Sequence, residues 1–321
     1  MQLTGAKLCL LLGKIDTNHT LLFPQFITIA EISNMEQGKQ VVWQHDNWSF
    51  EGWEIPSTLD QTEKIVIAFH GFDRSADEME SFMPIYDEST AMLSINLLHH
   101  GDSKPLPPRG LDSVLEPQVL LDAIHSRIAA SPNLGYSESV QLELLGYSMG
   151  GRIALSMLSY FPGAFTRLIA LAPDGLKMSP SYKFFVGTST GKRFWELVDK
   201  YPKTNVHLLD ALFKVGLISS HKHHFGRYHT DNPEIRARVA NGWLAHKLFW
   251  PKRQVLPSAL RATSTSHLIF GARDKIIPFK WSDKLREDLK GAQNVHFHTI
   301  ACGHVMRHPE TVALIKNCVI K

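Results

Sequence analysis

The sequence predicts an α/β fold: a mostly parallel twisted sheet with helices on both faces and an inserted helical cap. Three observations predict it. Continuous apolar runs alternate with stretches of helical spacing. One run leads through Gly146-Tyr147-Ser148-Met149-Gly150 directly into a helix-like stretch. A long segment, residues 176–262, breaks the alternation and holds no convincing buried strand.

Composition sets the bounds. A chain of 321 residues can form one large α/β domain with an insertion. Apolar residues at 44% and charged residues at 20% permit a sizeable core. The formal net charge of +3 is too small an excess to make nucleic acid the main partner. Cys9, Cys302 and Cys318 are too few and too scattered for a disulfide framework or a thiolate metal site. They fit a reducing compartment, and the expected location is the cytoplasm. The apolar run Leu8 to Leu12 is too short for a signal peptide, and no small-residue cleavage pattern follows. No apolar stretch approaches the roughly 20 residues of a membrane span.

The elements follow in order. Phe26 to Ile32 and Gln40 to Trp43 read as short strands, with a turn at Met35-Glu36-Gln37-Gly38. Trp48 to Ile55 extends this antiparallel pairing. Ile65 to Phe69 is wholly apolar, as expected of a strand buried on both faces. Similar runs recur at Ala91 to Leu98, Val140 to Leu145, Leu168 to Ala172, His267 to Phe270 and Val295 to Ile300. Helical spacing marks Leu115 to Ala130, Gly151 to Tyr160, Phe279 to Leu289 and Pro309 to Ile320. Strands alternating with helices imply a covered, mainly parallel sheet. The expected division is a core of residues 1–175 and 263–321 and a cap of residues 176–262. The cap is aromatic, basic and rich in histidine, with helix-like pieces at Phe194 to Lys200 and Pro233 to Leu248. Long insertions at strand ends of such sheets often cover the site.

Ser148 is the candidate nucleophile. The pattern Gly-x-Ser-x-Gly is common, but strand-like Leu142 to Leu145 precedes it and helix-like Arg152 to Leu155 follows. A strand ending abruptly in a helix strains the serine backbone, and side chains two positions away would clash. Gly146 and Gly150 meet that need. The serine then stands near a helix N-terminus, where N–H groups favour developing negative charge.

A serine hydroxyl needs a base to take its proton. Folds with this elbow order the partners as serine, acid, histidine. Among 17 histidines, His304 has the right placement, between the last strand and the final helix. Asp274, after the run His267 to Phe270, is the favoured acid; Asp174, after Leu168 to Ala172, is its rival. The oxyanion hole needs two donors. Met149 N–H follows the nucleophile, and Phe72 N–H belongs to the loop His70-Gly71-Phe72-Asp73. His70 is expected to play a structural part.

These residues together make the chain resemble the α/β-hydrolase superfamily. The matching motifs are His70-Gly71-Phe72, His100-Gly101-Asp102-Ser103, Gly146 to Gly151, Gly271 to Asp274 with Pro278, and Gly303-His304. They run in family order from Ile65 to Lys321, with the cap unmatched. One departure is Leu98-His99-His100-Gly101, where many relatives have Pro-Gly-His-Gly. The resemblance implies hydrolysis of a small ester, thioester or amide through Ser148, His304 and Asp274, without a cofactor. The run Gly146 to Arg152 also resembles the SHCHC synthases of the menaquinone pathway, which eliminate pyruvate with a similar triad, so carbon–carbon cleavage or elimination is an alternative. That match is local, and the insertion here is larger than that family's compact cap. A ligand receptor that keeps the triad is a third reading.

Other clusters are read as structural. His221, His223, His224 and His229 lie among lysine, arginine and aromatic residues, so a basic face or an anion contact is expected rather than a metal. Cys302 lacks an elbow and reads as a small buried thiol. The cap aromatics read first as its core, with a pocket lining as the alternative. The expected partner is a small-molecule substrate. Nothing in the sequence reads the oligomeric state.

Overall fold

Residues 65–69, Ile-Val-Ile-Ala-Phe, are all inaccessible to solvent. Successive side chains of a strand point to opposite faces, so this strand is covered on both. It is β3 (Lys64–Phe69), the middle of a nine-stranded sheet. The computed structural model describes residues 38–107, 113–178 and 180–320. The strand expected at Phe26 to Ile32, and the turn before Gly38, lie outside the described residues.

The other strands are β1 (Lys39–His45), β2 (Trp48–Ile55), β4 (Thr90–Ile95), the two-residue β5 (Lys104–Pro105), β6 (Gln141–Tyr147), β7 (Arg167–Leu171), β8 (Thr265–Gly271) and β9 (Val295–Ile300). Their order across the sheet is β1-β2-β4-β3-β6-β7-β8-β9, with β5 paired to β2. The pairs β1–β2 and β2–β4 are antiparallel. From β4 to β9 every pair is parallel. The run Ala91 to Leu98 overstated its strand: β4 ends at Ile95, Asn96 N–H still donates to Glu51 O of β2, and the backbone beyond it bonds side chains instead. Leu97 N–H donates to His70 and Leu98 N–H to His246.

Parallel strands need crossovers, and helices supply them. These are α1 (Pro117–Ala130), α2 (Met149–Tyr160), α8 (Leu256–Arg261) and α9 (Asp283–Asp288), with a 3₁₀ helix, Asp77–Ile85, between β3 and β4; α10 (Pro309–Val319) follows the last strand. Proline opens α1 and α10 at the first turn, where its missing N–H costs nothing. The stretch read as one helix from Phe279 to Leu289 is a 3₁₀ turn, Phe279–Ser282, followed by α9. A buried ion pair ties α1 to the sheet: Arg127 Nε donates to Glu54 Oε1 at 2.6 Å, and Ser131 and Asn133 satisfy the other oxygen.

Between β7 and β8 the described chain forms no strand. It runs through α3 (Pro180–Gly187), α4 (Ser189–Lys200), α5 (Pro202–Lys214), α6 (Ser220–Asp231) and α7 (Pro233–Ala245) before α8. Thr188 and Asn232 cap α4 and α7 by accepting first-turn N–H groups. Among the described residues, no helix is long and apolar enough to cross a membrane.

Candidate active site

The site grows from the junction of β6 and α2. Ser148 sits between them with φ 54° and ψ −114°, a conformation costly for a residue with a side chain, roughly 1–3 kcal/mol. Backbone bonds hold it there: Ser148 N–H donates to Leu171 O, and Asp174 N–H donates to Ser148 O. Three glycines make the turn possible. A Cβ on Gly150 would collide with the Phe69 carbonyl oxygen, and one on Gly146 would stand 2.5 Å from Gly150 O. One on Gly151 would stand 2.7 Å from Pro173 Cα. The helix is thereby packed against the sheet as closely as backbone allows.

His304 and Asp274 are brought to Ser148 by the parallel order of strands. β8 and β9 are adjacent, so the loops after their C-terminal ends meet. Asp274 Oδ2 accepts from His304 Nδ1 at 2.7 Å, and His304 Nε2 lies 3.0 Å from Ser148 Oγ. With the Nδ1 proton given to Asp274, Nε2 is the acceptor for the serine hydroxyl. The Asp274 side chain is fully buried. Its second oxygen accepts N–H groups of Ile276 and Ile277 at 2.8 and 3.0 Å. Burial raises its pKa, but the His304 bond and these N–H groups outweigh burial and hold it below the ordinary value. The rival Asp174 is engaged elsewhere: its Oδ2 lies 3.2 Å from Arg152 Nη1, and its Oδ1 accepts from Gly175 N–H.

The loop after β3 lies against the serine. A Cβ on Gly71 would be 3.4 Å from Ser148 Cβ and 3.2 Å from the Tyr147 ring, so only glycine lets the loop approach without pressing on them. Among the described residues, neither Phe72 N–H nor Met149 N–H is engaged in a hydrogen bond. Met149 begins α2, where first-turn N–H groups lack helical partners.

Sequence reasoning expected a structural part for His70 but missed the other residues that hold this arrangement. Tyr147 donates its hydroxyl to the His304 carbonyl at 2.8 Å and lies tilted against that imidazole. Three buried histidines fix the two loops at the strand ends. His70 Nδ1 donates to Gly71 O, and its Nε2 accepts from Leu97 N–H. His100 Nε2 accepts from Asp73 N–H, and His246 Nε2 from Leu98 N–H. Each must stay neutral to accept. Burial lowers their pKa values to about 4 for His70 and about 3 for His100 and His246. No periodicity announces such contacts, since His246 stands 148 positions from Leu98. The departure at Leu98 to Gly101 belongs here: His99 has φ 66° and Gly101 φ 53°, and buried His100 packs edge-on against Phe72.

The inserted helices reach the same loop. Asp73 is bonded by Arg238 of α7 and, at 3.1 Å, by Tyr228 of α6, while His229 lies 6.0 Å from the Phe72 ring. Two histidines of α6 have separate partners. His223 pairs with Asp210 at 2.7 Å and stacks on Phe213, so an acidic partner is present where the sequence pattern suggested none. His224 bonds Ser220 of its own helix. Among the described residues, no group of three or more histidine, cysteine or acidic side chains is arranged to hold a metal. Cys302 is buried, and burial raises its pKa, an unreactive setting for a thiol.

No family model matches the sequence, and no curated protein matches it. Solved structures do match in fold. An alpha/beta hydrolase enzyme from a Medee basin deep-sea metagenome library is 16% identical, with TM-score 0.59 over 88% of this chain and 98% of its own. The thioesterase domain from the curacin biosynthetic pathway is 13% identical, with TM-score 0.56 over 89% of this chain and 100% of its own. A thermophilic esterase from Thermogutta terrifontis is 15% identical, with TM-score 0.56 over 88% and 97%.

Proposed function

From the α/β-hydrolase fold of this chain, we propose that it hydrolyses a small ester, thioester or amide through Ser148, His304 and Asp274. The observation that carries this is the unbroken chain of hydrogen bonds, 3.0 and 2.7 Å, from Ser148 Oγ through His304 to a buried carboxylate. The esterase and thioesterase among the structural neighbours support the same reading.

Each step has a group to perform it. Ser148 Oγ attacks the carbonyl carbon while His304 Nε2 takes its proton. Phe72 N–H and Met149 N–H receive the oxyanion. Collapse expels the alcohol, thiol or amine, which takes the proton from His304. A water then loses its proton to His304, attacks the acyl group and frees Ser148. Asp274 keeps the imidazole oriented and stabilises its protonated form. Residues 176–262 form the cap, and contacts from Arg238, Tyr228 and His229 to the 70–73 loop support this assignment.

The test is turnover of a panel of p-nitrophenyl esters. The wild type hydrolyses at least the short-chain members. Asp274→Asn lowers kcat by about 10⁴, since the amide favours the wrong imidazole tautomer. A wild type inert on the whole panel, or an Asp274→Asn variant as fast as wild type, would remove this mechanism.

A further inference from the structure

The outer helices of the insertion turn apolar side chains toward solvent. In α4, Gly191 and Val198 face inward, while Phe194 and Leu197, with Tyr201 just beyond, form an exposed stripe at positions i, i+3 and i+7. In α5, Val206 is buried, but Leu208 points outward, as does Val215 just past the helix end, 68% exposed. Leu217, just after it, is 72% exposed. A surface helix normally places polar residues on that face.

Charge frames the stripes. Lys183, Arg193, Lys200, Lys203 and Lys214 are all exposed, and none joins an ion pair among the described residues. Of the three carboxylates on α4 and α5, two are in ion pairs, Asp199 with Arg236 and Asp210 with Arg227, and Glu196 is exposed. Residues 176–262 hold fifteen lysines and arginines against five aspartates and glutamates, while the rest of the chain holds nineteen against twenty-six. The basic excess is thus confined to the segment with the exposed apolar stripes.

We propose that this face of α4 and α5 docks on an anionic phospholipid bilayer. The apolar side chains enter the boundary between headgroups and acyl chains, and the lysines meet the headgroup phosphates. No described helix is long and apolar enough to span, so the protein lies on the surface through this face. A second copy is a poorer occupant, because two such basic faces repel. Nucleic acid is poorer too: Phe194 and Tyr201 offer rings for stacking, but the aliphatic Leu197, Leu208, Val215 and Leu217 gain nothing from bases.

Flotation of the full chain with vesicles tests this. Vesicles of phosphatidylcholine and phosphatidylglycerol in equal parts are compared with phosphatidylcholine alone. The expected partition is at least about tenfold higher on the anionic vesicles and falls with added salt. The variant Leu197→Ser/Leu208→Ser/Val215→Ser loses it about tenfold, and so does Lys200→Glu/Lys203→Glu/Lys214→Glu. An unchanged thermal unfolding midpoint shows that each variant is folded, and the salt response of the wild type stands without them. No partition, equal partition into both vesicles, or wild-type binding by the serine variant would overturn the proposal. A wild-type dimer that the serine variant converts to monomer, without vesicle binding, would assign the face to self-association. Binding to single-stranded RNA in place of vesicles would overturn it equally.

Discussion

Ser148→Ala is expected to lower kcat on a p-nitrophenyl ester by about 10⁶, with KM little changed. The magnitude follows from what is lost. Without Oγ no covalent intermediate forms, and His304 has no proton to take from the nucleophile 3.0 Å away. The two backbone donors remain, so a residual rate above that in water persists. His304→Ala is expected to cost about the same, and the double variant hardly more, because the two side chains act as one unit. The backbone turn at φ 54° tolerates alanine no worse than serine, so the variant folds, and the loss is chemical. Steady-state kinetics on the three variants check this. Additive losses would mean that Ser148 and His304 act separately.

The second large effect is loss of stability in mild acid. His70, His100 and His246 are buried and neutral, each accepting a backbone N–H. Their folded pKa values, about 4, about 3 and about 3, lie below the ordinary 6.5. Below pH 6.5 the unfolded chain therefore binds protons that the folded chain refuses, and stability falls as pH falls. The fall continues until each folded pKa is reached. Each histidine contributes about 1.4 kcal/mol per pH unit. Between pH 6 and pH 4.5 the three together remove about 5 kcal/mol, comparable with the whole stability of many domains. Asp274 acts in a lower window: its depressed pKa gives stability that is lost only as pH falls below the ordinary carboxylate value. The thermal unfolding midpoint, followed from pH 7 to 4.5, should drop steeply below pH 6. A flat profile would mean that these histidines are solvated or charged in the folded chain.

The two kinds of feature differ in how they could be read from sequence. Ile65 to Phe69 and Val295 to Ile300 announce their strands through continuous or alternating apolar residues, a local signal. Gly146, Gly150 and Gly151 announce the elbow because sterics leave no other residue there. His304 and Asp274 could be placed by chain order alone, since parallel strands put successive loops at one edge. Tyr147 could not: it occupies the unrestricted position of the pattern, and its bond to His304 O depends on a loop 157 positions away. The same holds for His246, and for Asp73 with Arg238, whose pairing needs two helices and a loop already in place. The pairing of His223 with Asp210 joins different helices, and sequence spacing alone hid it.

The account rests on Ser148 becoming covalently acylated. The direct measurement is peptide-mapping mass spectrometry of the protein quenched in acid during turnover of p-nitrophenyl acetate. The account predicts an acetyl group on the peptide holding Ser148, absent from Ser148→Ala and removed on further incubation in water. Turnover with no adduct at Ser148, or with the adduct on another residue, would contradict it.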